Sequence, residues 1–128
     1  MNKKIVKLPD TELVIMKIIW NHETPISTSK VKEYLDEMRL WNVSALQTLL
    51  NRLIDRGYLK SGKEGKNRYY EPLISEDEYL EVENKTFLER LNGNSITRFV
   101  TSLYDSRAIT NEDLAELKAF IEQKTKGD

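Results

Sequence analysis

Between residues 13 and 20, apolar side chains occupy nearly every side of the chain, at Leu13, Ile15, Met16, Ile18, Ile19 and Trp20. With Asp10 placed as an N-cap, this predicts a buried helix over residues 11–20. The stretch from Asn21 to Pro25 breaks the pattern, and Ile26 suits a one-bridge strand. Ser27 or Thr28 then caps a second helix whose apolar side is Val31, Tyr34, Leu35 and Met38. Arg39 to Trp41 forms the next connection. Asn42 caps a third helix, with Leu46, Leu49, Leu50, Leu53 and Ile54 at i, i+3, i+4, i+7 and i+8, and Gly57 ends it as a left-handed stop. Tyr58-Leu59-Lys60-Ser61 and Lys66-Asn67-Arg68-Tyr69-Tyr70-Glu71 flank Gly62-Lys63-Glu64-Gly65, which reads as a hairpin with a four-residue loop before Pro72.

Beyond Pro72 the pattern is helical only. Ser75 and Glu78 make a capping box for a helix to about Leu91, with Leu80, Phe87, Leu88 and Leu91 on one side. Asn92-Gly93 stops it. Asn94 or Ser95 starts a helix with Ile96, Phe99, Val100, Leu103 and Tyr104 at helical spacing, and Thr110 with Asp113 opens a last one lined by Leu114, Leu117 and Ile121 before a polar tail from Lys124. The expected fold is mainly α with a small antiparallel sheet. Helix, short strand, two helices and a hairpin is the element order of a winged helix-turn-helix domain, here residues 1–73, followed by a three-helix region over 74–128.

Composition narrows the functional classes. The chain of 128 residues has no Cys, which removes disulfides, thiolate metal sites and cysteine nucleophiles and suits a reducing compartment. Its longest apolar run is far shorter than the roughly 20 residues that span a bilayer. The basic start Met1-Asn2-Lys3-Lys4 lacks a small-residue cleavage site after a proper apolar run. A cytoplasmic protein without membrane insertion is therefore expected. The lone His22, with no Cys to partner it, reads as a surface or capping residue, and Glu76, Asp77 and Glu78 favour a helix N-terminus electrostatically. With no phosphate loop, metal-spaced set or nucleophile motif, no catalytic residue, metal or cofactor is expected, and the chain reads as a non-enzyme.

Charge then changes the picture. The net charge is −1, yet residues 1–73 carry 13 Lys and Arg against 9 Asp and Glu, while residues 74–128 carry 7 against 12. A basic front half is the electrostatic footprint of a DNA reader. On the third helix, from Asn42 to Arg56, the leucines share one face and leave Ser44, Thr48, Asn51 and Asp55 opposite, flanked by Gln47, Ala45 and Arg52. Ser44, Ala45, Gln47 and Thr48 are the expected base contacts. Gln47 can pair with adenine N6 and N7, and Ala45 can meet a thymine methyl.

Phosphate contacts are expected from Thr28, Ser29 and Lys30 at the start of the second helix, from Asn51 and Arg52, and from Lys63, Lys66 and Arg68 on the hairpin. Lys60 adds a fourth cation to this wing. Tyr70, in period-2 register with Arg68, either packs inward, the favoured reading, or donates to a phosphate. Asp55 opposes binding mildly, and Arg52 or Arg56 is expected to offset it.

The chain resembles the penicillinase-repressor family, the BlaI/MecI/CopY group of winged-helix repressors. The resemblance rests on Glu12-Leu13-Val14-Ile15-Met16-Lys17-Ile18-Ile19-Trp20, Trp41 with Thr48-Leu49-Leu50-Asn51-Arg52-Leu53, Gly57-Tyr58-Leu59, Arg68-Tyr69-Tyr70-Glu71-Pro72, Phe87-Leu88 and Leu114-Ala115-Glu116-Leu117. It implies a transcriptional repressor of the kind that controls antibiotic-resistance genes. It also implies a homodimer on an inverted-repeat operator, released by a signal, in some members through the protease of a membrane receptor system. The dimer contacts would be Leu80, Phe87, Leu88, Leu91, Ile96, Phe99, Val100, Leu103, Leu114, Leu117 and Ile121, since three short apolar helices make a poor core alone and a good one when doubled.

The chain departs from the family at three places. The tail Lys124-Thr125-Lys126-Gly127-Asp128 has no cysteines for copper sensing, and the Asn-Phe dipeptide cleaved in β-lactam-responsive members is replaced by Ser95-Ile96-Thr97-Arg98-Phe99-Val100. Val43-Ser44-Ala45 stands where the family often has Pro-Lys-Thr. The rival readings are a winged-helix module for protein contact and a ligand-gated regulator.

Overall fold

The computed structural model describes residues 5–38 and 41–126; Arg39 of the expected connection, the basic start and the last two residues of the tail lie outside it. The chain runs α1 (Asp10–Trp20), β1 (Ile26–Ser27), α2 (Thr28–Asp36), α3 (Val43–Asp55), β2 (Leu59–Glu64), β3 (Asn67–Pro72), α4 (Glu76–Asn92), α5 (Ile96–Asp105) and α6 (Asn111–Thr125). It forms two compact units, one to Glu83 and one from Asn84, so α4 contributes its first turns to the first.

The first unit is a winged helix. Ile15, Met16 and Ile19 of α1, Val31 and Leu35 of α2, and Leu46, Leu50 and Leu53 of α3 are all fully buried. The three strands lie in the order β1-β3-β2, all antiparallel, with Ile26 opposite Tyr70 and Ser61 opposite Tyr70 on its other side. Tyr58, Tyr70 and Tyr79 complete the core. Their hydroxyls are bonded, as buried polar tips require. The Tyr58 hydroxyl donates to the Val6 carbonyl at 2.6 Å and the Tyr79 hydroxyl accepts from Leu8 N–H at 3.0 Å, while Trp20 Nε1 donates to the Ile74 carbonyl at 2.8 Å. The segment before α1 and the start of α4 are thereby tied to the same core.

Three expectations are corrected. Asp10 is the first helical residue rather than the cap: Pro9 holds the N-cap position, its carbonyl accepting from Leu13 N–H, and Asp10 lies in the first turn where a carboxylate suits the helix dipole. Met38 is 65% exposed, because α2 ends at Asp36 and the position no longer lies on its apolar stripe. The hairpin loop has two residues instead of four. Glu64 pairs with Asn67, and Gly65 supplies the positive φ, +65°, of a tight Gly65-Lys66 turn.

One buried group had no apolar signature to announce it. Glu12 is 1% exposed, and its Oε1 meets Arg56 Nε at 3.2 Å across from α1 to the end of α3. Desolvation of a carboxylate is costly, and this ion pair is what offsets it, since no hydrogen bond reaches that oxygen. Arg56 is therefore committed to Glu12 instead of to Asp55.

The second unit has a different character. None of its described residues is buried, although Phe87 and Phe99 meet edge to face at 5.6 Å and the Thr110/Asp113 capping box closes the start of α6. Leu88, Phe99, Val100, Leu103 and Leu114 are half-buried, and Phe87, Leu91, Ile96, Leu117, Phe120 and Ile121 are exposed.

Two stability predictions follow from the first unit's core. Arg56→Ala, which strands a buried carboxylate, should cost about 1–3 kcal/mol in urea unfolding. Adding Glu12→Leu should recover most of that loss, because an apolar pair of similar volume avoids the desolvation; no recovery would show that the pair is not what holds this contact. The second concerns alkaline pH. Burial, followed by the Glu83 carboxylate, pushes the Tyr58 hydroxyl up from 10 to about 12, and burial with Glu83 raises Tyr79 as well. Below pH 10 these groups are protonated in both folded and unfolded chains. Between about 10 and 12 the unfolded chain releases protons that the folded one keeps, so stability falls across that window. Of the six tyrosines, two should ionise only in step with unfolding, read by tyrosinate absorbance against circular dichroism.

Candidate nucleic-acid interface

The exposed face of α3 is set by what the other face buries. Because Leu46, Leu50 and Leu53 point into the core, Ser44, Ala45, Thr48, Asn51 and Arg52 are left exposed. The start of the helix is held by Asn42, whose Oδ1 accepts from Ser44 N–H at 2.8 Å and Ala45 N–H at 3.3 Å. Its end is a Schellman motif: Gly57 at φ +83° lets Tyr58 N–H reach the Leu53 carbonyl and Gly57 N–H reach that of Ile54.

Upstream, Asp36 positions the entry to α3. Its Oδ1 accepts from Trp41 N–H at 3.1 Å, and its Oδ2 accepts from Lys32 Nζ at 2.6 Å. The Lys32 hydrogen bond, and next the Trp41 N–H, hold its carboxyl below the usual value. The i,i+4 spacing of Lys32 and Asp36 was a signal for the ion pair, although not for the bond to Trp41.

The N-terminus of α2, the first turns of α3 and the tip of the wing border a common cleft of about 380 Å³. It is lined by Thr28, Ser29, Val43, Gln47, Lys66 and Arg68, among others. Ser27 caps α2 by accepting from Lys30 N–H at 3.2 Å, and it lines this cleft with Thr28 and Ser29.

Tyr70 stands behind it. Its ring is fully buried, as the favoured reading had it, and its hydroxyl accepts from Thr28 Oγ1 and from Gln47 Nε2, each at 3.2 Å. Gln47 Nε2 also donates to Asn51 Oδ1 at 3.2 Å. Thr48 donates its hydroxyl to the Ser44 carbonyl at 3.0 Å, leaving its methyl and oxygen lone pairs for any ligand.

Not every expected residue joins the cleft. Lys63 lines a separate depression of about 370 Å³ on the wing with Lys60, Gly62, Tyr69 and Glu71. Lys60 is paired with Glu71 across the hairpin at 3.2 Å, and Lys30 with Glu33 at 3.4 Å, so neither is a bare cation. Lys63 lies directly opposite Arg68 on the neighbouring strand. Like charges in cross-strand register oppose pairing unless an anion is present.

The basic character is a property of this face and not of the unit. Counted to Glu83, the first unit carries 13 basic and 14 acidic side chains, because α4 brings in Glu76, Asp77, Glu78, Glu81 and Glu83. Sequence reasoning missed Glu12, whose charge gave no hint of burial, and the bonding of Gln47 to Tyr70, which only the strand register brings about.

Comparison with known proteins places this geometry. The chain is 35% identical over 121 residues to the penicillinase repressor of Bacillus licheniformis, covering 94% of each. It is 22% identical to the methicillin resistance regulatory protein MecI of Mammaliicoccus sciuri, covering 97% of this chain and all of that one. Among solved structures, the DNA-binding domain of the repressor BlaI is 41% identical with a TM-score of 0.53, covering 61% of this chain and 94% of that one. The monomeric form of Bacillus licheniformis BlaI in complex with the blaP half-operator is also 41% identical, with a TM-score of 0.51 and the same coverage. By name these relatives are repressors and a resistance regulator, not enzymes. With the penicillinase repressor family model matching residues 8–123, the chain belongs to that family.

Proposed function

We propose that this protein is a transcriptional repressor that binds an inverted-repeat operator as a homodimer and leaves it in response to a signal. The observation that carries the DNA reading is the cleft in which the α2 N-terminus, the α3 surface and the cations Lys66 and Arg68 converge. A relative 41% identical over this region was solved on a half-operator. The α3 face would enter the major groove, with Ser44, Ala45, Gln47 and Thr48 at base edges. Thr28, Ser29, Lys30, Asn51, Arg52, Lys63, Lys66 and Arg68 would hold the phosphates. The opposed Lys63 and Arg68 favour this role, since a phosphate between them would relieve their repulsion.

The second unit would supply the dimer. Its stripes, Phe87, Leu88, Leu91, Ile96, Phe99, Val100, Leu103, Leu114, Leu117 and Ile121, with Leu80 at the start of α4, form no buried core within one chain. Exposure of Ile96 at 59% and Ile121 at 50% is sustainable when a second copy covers them. A half-operator complex with a monomeric relative fits the same picture, one winged helix for each half-site. The expected domains 1–73 and 74–128 would thus divide the work into reading and pairing, with the first turns of α4 lending Tyr79 to the core of the reading unit. The releasing signal is proposed to act on this pairing; with the Asn-Phe dipeptide replaced by Ser95-Ile96-Thr97-Arg98-Phe99-Val100, a signalling protease of a membrane receptor system would have to cut at another bond.

Mobility shift and fluorescence anisotropy with duplex from the protein's own promoter test the DNA role. Absence of any shift at low salt would refute it. Gln47→Ala should cost about 1–3 kcal/mol on the operator and relax preference at one base pair. Lys63→Ala should weaken all duplexes alike, reducing the salt slope by about one, without lowering the melting temperature. Equal effects of both kinds from both variants would contradict these roles. For the dimer, Ile121→Asp removes an apolar contact twice over by symmetry, each worth about 1.5–3 kcal/mol. Sedimentation should then show monomers at concentrations where the parent protein is dimeric.

A further inference from the structure

The Gln47 carboxamide is not free to read a base in the way its residue type suggests. A glutamine that pairs bidentately with adenine donates from Nε2 to N7 and accepts at Oε1 from N6. Here Nε2 donates to the Tyr70 hydroxyl and to Asn51 Oδ1, each at 3.2 Å, so both of its protons are held within the protein. Tyr70 is itself held on several sides: its ring is fully buried in the core, its backbone pairs with both Ile26 and Ser61, and its hydroxyl also accepts from Thr28 Oγ1. Among the described residues, the group left unengaged on Gln47 is the acceptor Oε1.

We propose that Tyr70 is a positioning residue for sequence recognition, which orients Gln47 so that it presents an acceptor only and distinguishes amino from keto bases. An acceptor in the major groove is matched by the exocyclic amine of adenine N6 or cytosine N4. It is opposed by guanine, which offers N7 and O6, and by thymine, which offers O4. Position 47 therefore accepts A or C on the strand it faces and rejects G or T. This differs from the adenine-only contact that the side chain alone suggests. The inference rests on the DNA-reading role proposed above, and Thr28 extends the same network to the α2 N-terminus.

The experiment begins with duplexes selected from a random pool by the full-length protein. Selection of no sequence at all would remove the DNA-reading role, and this inference with it. Given a selected operator, Gln47→Ala identifies the base pair that the side chain reads. At that pair the parent protein should bind A and C within about threefold of each other and G or T roughly tenfold more weakly. Replacing the adenine with 7-deazaadenine, which lacks N7, should leave affinity within twofold. Replacing it with purine, which lacks the N6 amine, should cost about tenfold.

Tyr70→Phe frees one Nε2 proton, and the preference should narrow to adenine over cytosine by about tenfold, with sensitivity to 7-deazaadenine appearing. That change is one a merely structural tyrosine would not produce, since loss of stability weakens all duplexes together. A parent protein that prefers A to C tenfold and loses affinity with 7-deazaadenine would overturn the proposal while leaving the DNA-reading role in place. So would a Tyr70→Phe profile identical to the parent's, or a Gln47→Ala variant with unchanged preference at every position. If Tyr70→Phe does not fold, the 7-deazaadenine and purine measurements on the parent protein decide the matter alone.

Discussion

The rotation of α3 about its own axis is the constraint on which the rest depends. Leu46, Leu50 and Leu53 must be buried, and burying three leucines is worth several kcal/mol, so the helix cannot turn without exposing one of them. Asn42 fixes where it starts and Gly57 where it stops, which removes the remaining freedom to slide. Once rotation and ends are set, the side chains of Ser44, Ala45, Thr48, Asn51 and Arg52 have no choice of direction. The outward face thus follows from the packing of the inward one.

A second constraint comes from the sheet. Tyr70 sits on the central strand, so its position is tied to both β1 and β2. Its hydroxyl joins α2 through Thr28 and α3 through Gln47. Three elements that meet at one cleft are thereby registered against each other by a group that is not itself exposed. A buried hydroxyl left without partners would be costly, so this network stabilises the domain and orders its surface by the same bonds. The Glu12 and Arg56 pair does similar work at the far end of α3, anchoring it to α1.

Much of this was legible in the sequence because period and punctuation agree. The leucine spacing of α3, the Asn42 cap, the Gly57 stop and the two capping boxes at Ser75 and Thr110 each point to one local structure, and the structure contains all of them. What escaped was decided by partners distant in sequence. Glu12 looks like a solvent residue until Arg56 arrives from 44 positions away. Two glycines in Gly62-Lys63-Glu64-Gly65 suggested a longer loop, yet only Gly65 takes a positive φ, and cross-strand pairing extends through Gly62 to Glu64. The amide of Gln47 could be placed on the right face from spacing alone. Its hydrogen bonds could not, since they depend on the register of a strand 23 residues on.

The two units solve opposite problems with the same kinds of side chain. In the first, a core of leucines, isoleucines and tyrosines closes on itself, and the charged groups near the cleft are left in arrangements that cost stability, Lys63 facing Arg68 being the clearest. In the second, charge is balanced at seven of each sign and the apolar stripes are the unsatisfied part. Each unit therefore carries one surface that is worse than it need be for an isolated chain: cations opposed without an anion, and aromatic and aliphatic rows without a cover. In the proposed function, a polyanion would relieve the first and a second copy of the chain the second. In the proposed dimer the two remedies would reinforce one another, because pairing two chains would present two cationic faces to one duplex, and the second face would then bind as an intramolecular event instead of a fresh encounter.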